Sequence, residues 1–165
     1  MQIVGYYSFN GAREWFEEHA PAELAEIEAA IAAVDAAQAM TKVCQEKGPR
    51  RGMFLFDPNE LNKLFDAEVC DREWRKRSKR HYIPYTNYFV DGYDPEEKRK
   101  SPSGYLEMDF WKPGVGVEVQ FGKYSFMAYD VLAKMAIMKK RGYVEAGIEL
   151  VPSKKMLRRM TSGIG

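Results

Sequence analysis

The sequence predicts an α/β fold, and three observations in its second half lead there. Residues 105–111 and 115–121 read as two strands joined by a turn at Lys112-Pro113-Gly114. Residues 125–140 (SFMAYDVLAKMAIMKK) read as a helix apolar on most faces, interrupted only by Asp130 and Lys134 before its terminal lysines. Residues 143–151 (YVEAGIELV) then alternate as a strand, with Val144, Ala146, Ile148 and Leu150 pointing inward. Strand, strand, helix, strand is an α/β core. A helix that is apolar nearly all round is expected to bury two sides, one against the sheet and one against a partner subunit.

The first half supplies covering elements. Residues 2–7 (QIVGYY) form a short apolar run that reads as an edge strand. Asn10 or Ser8 caps a helix through residues 11–19. Pro21 opens a second helix, whose Leu24, Ile27, Ile31 and Val34 make one stripe. Alanines at 25, 29, 32, 33 and 36 let this helix approach another backbone closely, within the core or across a dimer. Residues 47–52 (KGPRRG) are a turn or loop, and residues 53–56 a short strand. Asp57-Pro58 then starts a helix carrying Leu61, Leu64, Phe65 and Val69, with an acid at the cap and proline in the first turn. Residues 91–104 (DGYDPEEKRKSPSG) read as an exposed polar loop. Pro152 begins a short basic helix, and the chain ends in a loop at Thr161-Ser162-Gly163.

Composition excludes several classes of function. A chain of 165 residues fits one domain, and 45% hydrophobic residues are enough to bury a core. The net charge of +1 provides no global field toward nucleic acid or an anionic membrane, so any such contact must be local. Cys44 and Cys70 have neither CxxC spacing nor a nearby histidine, which argues against zinc and against a disulfide framework. His19 and His81 are too far apart to form a metal cluster. With no signal pattern and no long apolar span, a cytoplasmic location and no membrane partner are expected.

One local patch stands out. Arg72, Arg75, Lys76, Arg77, Lys79 and Arg80 are followed by Tyr82, Tyr85, Tyr88, Phe89 and Tyr93. Cations beside aromatics can track a phosphate backbone. The same run also fits a solvated surface segment.

The chemistry concentrates in residues 109–121, DFWKPGVGVEVQF. Strand alternation puts Glu118 and Gln120 on one face, with Val117, Val119 and Phe121 on the other. Asp109, across the turn, can bring its carboxylate to the same place. Two close carboxylates repel unless a cation sits between them. Mg²⁺ is the expected cation, held by Asp109, Glu118 and the main-chain carbonyl of Val119, with several waters retained. Gln120 cannot serve as a general base because an amide does not titrate near neutrality, so it can only orient a water or a phosphate oxygen. The alternative is a pair of strand-edge acids bonded to surface cations.

At these residues the segment VEVQFGKYSFMAYDVLAKM closely resembles type II restriction endonucleases of the BstYI and BglII kind. Those enzymes carry Gln where most of the PD-(D/E)xK nuclease superfamily has Lys, at the interval seen here from Asp109 to Glu118. The likeness extends to MQIVGYYSFNG, to the stretches around Asp35-Ala36 and Thr41-Lys42, and to DPNELNKLF, Trp74, GIELVPSKKM and TSGI. Residues 75–105 diverge most.

The resemblance implies a restriction-endonuclease-like core, a central mixed β-sheet flanked by helices. It implies a Mg²⁺-dependent homodimer that cuts both strands of double-stranded DNA at a GATC-centred palindrome. The closer likeness to BstYI implies RGATCY, cut before the G to leave a GATC overhang. By the same resemblance, Asp109 and Glu118 hold metal, Gln120 completes the site, and Lys123 and Ser162 reach base edges. Arg75, Arg77, Lys79 and Arg80 are the expected backbone contacts. Asp130 and Lys134 are expected at an interface or in a structural role. A cognate DNA methyltransferase is the expected genetic partner. In the resembled enzymes the chain continues past the SGI loop into a helix and an apolar strand. The expectation here is one domain over residues 1–165 without them. Two other functions stay open: a DNA-binding remnant that no longer cleaves, and a repair nuclease that acts on branched or single-stranded DNA.

Overall fold

The chain enters its first helix through a left-handed turn. Asn10 (φ 54°) and Gly11 (φ 72°) adopt positive φ, and Ser8 Oγ accepts from Arg13 N at 3.0 Å at the start of α1 (Ala12–His19). Of the two expected caps, Ser8 therefore makes the hydrogen bond, while Asn10 supplies the backbone bend that asparagine tolerates. The computed structural model describes residues 1–82, 91–92, 104–122 and 126–160. Residues 93–103 of the loop expected over 91–104, the aromatics Tyr85, Tyr88, Phe89 and Tyr93, and the base-contact candidates Lys123 and Ser162 lie outside them.

Residues 2–7 do not form the expected edge strand. No ladder reaches them. Val4, Tyr6 and Tyr7 are exposed, and Tyr6 Oη donates to Glu28 Oε1 at 2.8 Å on the neighbouring helix. An apolar run becomes a strand only where another strand offers it a partner. That neighbouring helix, α2 (Pro21–Ala33), begins at its proline as expected and buries Ile27 and Ala30, with Val34 buried just beyond. The strands β1 (Lys42–Val43) and β2 (Phe54–Leu55) pair antiparallel as a small two-stranded ribbon.

The helix α3 (Pro58–Cys70) is capped by Asp57, whose carboxylate accepts from Asn59 N at 2.9 Å. Leu61, Phe65 and Val69 recur one turn apart and are fully buried. The Phe65 ring meets Phe110 edge-on at 5.8 Å and Phe121 at 6.5 Å. This clamp binds α3 to the strands that carry the candidate acids.

The main sheet has the order β3 (Arg75–Tyr82), β4 (Gly104–Lys112), β5 (Gly114–Val119), β6 (Val144–Leu150). The first two pairings are antiparallel and the third is parallel, so the sheet is mixed. The basic run is thus a solvated surface segment that also forms an edge strand in a ladder with β4. Gly114 (φ 82°) makes the tight turn between β4 and β5.

Parallel pairing of β5 with β6 requires a crossover, and the apolar helix supplies it. The sequence alone predicts one regular helix over residues 125–140. In the structure α4 (Met127–Tyr129) passes into a π-helical stretch, Asp130–Met135, and then α5 (Ala136–Lys140). Single π-helical turns inside helices are often found at functional sites. A Cβ added to Gly147 would lie 2.6 Å from Met135 Sδ, so the missing side chain lets the crossover settle close onto β6. The larger core joins α1, α2 and α3 to Phe110, Val115, Val117 and Ala146. A smaller cluster joins Leu106, Met108 and Val144 to Met138 of the crossover. No helix among the described residues is long and apolar enough to cross a membrane.

Phe65→Ala removes the ring between α3 and both central strands. Urea denaturation should show a loss of about 3–5 kcal/mol, against under ~1.5 kcal/mol for the volume-conserving exchange of half-buried Leu64 for Met.

Candidate functional site

The ladder between β4 and β5 ends at the pair Phe110–Val117. One residue further on, Asp109 Oδ2 accepts a hydrogen bond from Val119 N at 3.0 Å. A side-chain carboxylate thereby takes the place of a main-chain acceptor. It stands beside the strand that carries Glu118, as the turn between the two strands leads one to expect. Burial raises the Asp109 carboxyl above the ordinary carboxylate range, and the hydrogen bond from Val119 partly offsets this.

Glu118 is only 2% exposed. Its Oε2 lies 2.7 Å from Lys134 Nζ, and the same ammonium lies 2.6 Å from Asp130 Oδ1. The other Asp130 oxygen accepts from Gln120 Nε2. Glu118, Lys134, Asp130 and Gln120 thus form a linked row of contacts between the β5 chain segment and the π-helical stretch. Asp130 and Lys134, expected at an interface or in a structural role, sit against the candidate site itself. Burial pushes the Glu118 carboxyl up to about 8, Asp109 adds to the rise, and Lys134 pulls against it. Burial also works against the charge of Lys134, yet its bonds to Asp130 and Glu118 outweigh that and hold the ammonium above its usual value.

Glu149 is the group that sequence reasoning missed. It stands opposite Glu118 in the parallel register of β5 and β6. Both of its carboxylate oxygens are buried without a hydrogen-bond partner. Burial, reinforced by Asp130 and Glu118, raises its carboxyl to about 9. Alternation along residues 144–150 assigns Glu149 to the outward face. The crossover covers that face, so outward in the pattern is not solvent in the fold.

Asp109 and Val119 open onto a cleft of roughly 150 Å³, shared with Asn62 and Asp66 of α3 and with Lys76 and Arg77 of β3. Arg77 is exposed and adopts φ 50°, a local bend in the edge strand. The other basic candidates are engaged with neighbours along the strand. Arg75 and Arg80 lie over the Trp111 ring at 5.4 and 4.7 Å, and Lys79 lies over Tyr105 at 4.6 Å and 3.4 Å from Glu107. The structure therefore brings Asp109, Glu118, Val119 and Gln120 together and adds Arg77 at the rim. It does not gather Arg75, Lys79 and Arg80 at the cleft.

These residues fit a divalent cation. Glu118 Oε1 is buried with no partner, beside a second carboxylate that repels it. Among the described residues, Asp109, Glu118, Asp130 and Glu149 are set against the ammonium of Lys134. Among the described residues no three His, Cys, Asp or Glu side chains already stand at ligand spacing. A cation here would be shared by Asp109, Glu118 and the Val119 carbonyl, with waters or substrate oxygens completing the shell.

Two outcomes follow for the protein held in EDTA. Lys134→Met leaves two buried carboxylates without their cation and should destabilise the fold by about 3–5 kcal/mol in denaturant titrations. Glu149 has a folded pKa raised far above its unfolded value. Its destabilising contribution is therefore absent below about pH 4.5 and grows as pH rises toward about 9. Glu149→Gln should then stabilise the protein by about 1–3 kcal/mol at pH 8 and scarcely at all near pH 5, as read from paired melts.

The chain matches the family model described as restriction endonuclease BglII/BglIII over residues 4–165. Among solved structures it is similar to the crystal structure of restriction endonuclease BglII complexed with a DNA 16-mer. That likeness has a TM-score of 0.53 and 21% identity, over 85% of this chain and 52% of that one. The chain thus spans about half the length of that protein, and at this identity the likeness is one of fold. No curated protein matches the sequence.

Proposed function

Because this chain belongs to the BglII/BglIII family of restriction endonucleases, we propose that it is a type II, site-specific deoxyribonuclease that hydrolyses phosphodiester bonds of double-stranded DNA with Mg²⁺. The observation that carries the reading is the approach of Asp109 to Val119 N at 3.0 Å beside buried Glu118, at the mouth of a cleft with Arg77 on its wall. Carboxylates, a strand carbonyl and an exposed cation around one cleft are the groups needed to receive a phosphodiester.

Asp109, Glu118 and the Val119 carbonyl are the proposed holders of the metal. When bound, Mg²⁺ polarises the phosphate and lowers the pKa of an attacking water. The chain's own residues prepare for this. The Val119 amide orients Asp109. Lys134 favours the ionised form of Glu118 and fixes its rotamer. Gln120, an amide, takes no proton and orients an oxygen only. Arg77 meets the DNA backbone at the cleft, and Lys123 and Ser162 are the proposed base-edge contacts.

A homodimer belongs to the same reading. The crossover leaves Tyr129 51%, Leu132 72% and Ile137 40% exposed, an apolar face that a second copy would cover. A two-fold dimer matches a palindrome, here proposed as GATC-centred, RGATCY cut before the G. A cognate methyltransferase is the proposed genetic partner.

One observation favours a second reading, a DNA-binding chain that does not cut. Gln120 donates to Asp130, and one Glu118 oxygen is held by Lys134, so both face inward. Incubation of the purified chain with unmethylated plasmid DNA and Mg²⁺ separates the two. The nuclease reading expects fragments ending in a GATC overhang, and Asp109→Ala should slow their appearance by at least about 10²-fold without loss of the folded state. Specific binding in Ca²⁺ with no fragments in Mg²⁺ at any protein concentration supports the second reading. Arg77→Ala should weaken binding to all duplexes alike and lessen its salt dependence.

A further inference from the structure

Helix α3 is locked in rotation by Leu61, Phe65 and Val69, all fully buried. That lock decides what else the helix presents. Asn62 and Asp66, one turn apart, are turned to the cleft shared with Asp109, Val119, Lys76 and Arg77. The hydrogen-bonding capacity around this cleft is partly taken. Asp66 is bonded to Lys76, and Asp109 accepts from Val119 N. Two groups stand open. Arg77 is exposed, and Asn62 Oδ1 is buried with no hydrogen-bond partner.

An unsatisfied buried amide oxygen destabilises a fold, and no side chain beside Asn62 bonds to its Oδ1. Such a group at a cleft is satisfied by whatever enters the cleft. The space, roughly 150 Å³, is about five times the ~30 Å³ share of one liquid water. It is enough for a phosphate group. The walls favour oxyanion over cation on the α3 and β3 side, because Lys76 neutralises Asp66 and Arg77 remains in excess. A half-turn of the amide puts Nδ2 where Oδ1 stands, so the same side chain can donate.

We propose that Asn62 and Arg77 together bind a non-bridging oxygen of the DNA backbone phosphate that lies beside Asp109. This makes Asn62 a substrate-positioning residue, contributed by a helix outside the sheet. The inference rests on the nuclease reading and adds to it a phosphate contact from α3.

The test uses the full chain, with Asn62→Ala and Asn62→Asp. Melting is recorded without DNA. Affinity for a duplex oligonucleotide carrying a GATC-centred palindrome is measured in Ca²⁺, and single-turnover cleavage in Mg²⁺. Asn62→Ala should melt at or above the wild type, because it removes a buried amide, and should bind the duplex about tenfold more weakly or worse. Asn62→Asp, nearly the same shape but negative, should bind more weakly still. Three results each overturn the proposal: Asn62→Ala melting clearly below the wild type, which marks a structural amide; Asn62→Ala binding and cutting as the wild type does; or Asn62→Asp matching the wild type, which marks a cation ligand. A wild-type chain that binds no duplex overturns the nuclease reading and this contact with it.

Discussion

A carboxylate removed from water must find a cation, accept a proton or leave the interior. Glu118, 2% exposed, finds Lys134 at 2.7 Å, and much of the surrounding architecture follows from that pair. Lys134 has to reach β5 from the crossover, so the crossover must lie close. Gly147 allows the approach, and the π-helical stretch keeps Asp130 and Lys134 on the inner side. Asp130 then holds Gln120 through its second oxygen. One ion pair thus sets the position of two strand residues and the winding of a helix.

The pair is incomplete by design of its surroundings. Glu118 keeps one oxygen without a partner, and Glu149 keeps two. Asp109 approaches from the other strand and adds repulsion. A fold selected for stability alone would replace such groups with apolar ones, since a well-packed hydrophobic substitute for buried charge is often neutral or better. Retaining them makes sense where a ligand completes the charge balance. The same logic applies to Asn62 on the opposite wall of the cleft.

The site is therefore two-sided. On the inner side, charge is balanced among Glu118, Lys134, Asp130 and Gln120, away from water. On the outer side, Asp109 and Val119 face a cleft with α3 and the edge strand β3. The β5 strand serves both, because Asp109, bonded to Val119 N, is the charge neighbour of Glu118. The basic run brings Lys76 and Arg77 to the cleft, and Lys76 is bonded there to Asp66. Their neighbours Arg75, Lys79 and Arg80 lie over aromatic rings of β4, where stacking fixes the edge strand instead.

The local parts of this protein were legible in the residues alone. Asp109 and Glu118 meet because a tight turn at Gly114 joins their strands, and proximity across a hairpin is written in short-range sequence. The capped helix from Pro58 and the strands 104–112, 114–119 and 144–150 are likewise periodic and bounded by turn residues. The failures were non-local. Residues 2–7 look like a strand but find no strand to pair with, and the basic run is surface but surface of an edge strand paired with β4. Glu149 reads as solvent-facing because alternation knows nothing of a helix laid over the second face. Asn62 reads as an ordinary helix residue until Phe65 sets its rotation. Short-range order along the chain settles which acids share a hairpin. Which groups sit buried beside them was decided only when distant segments packed, since burial depends on what covers a face and not on the pattern that presents it.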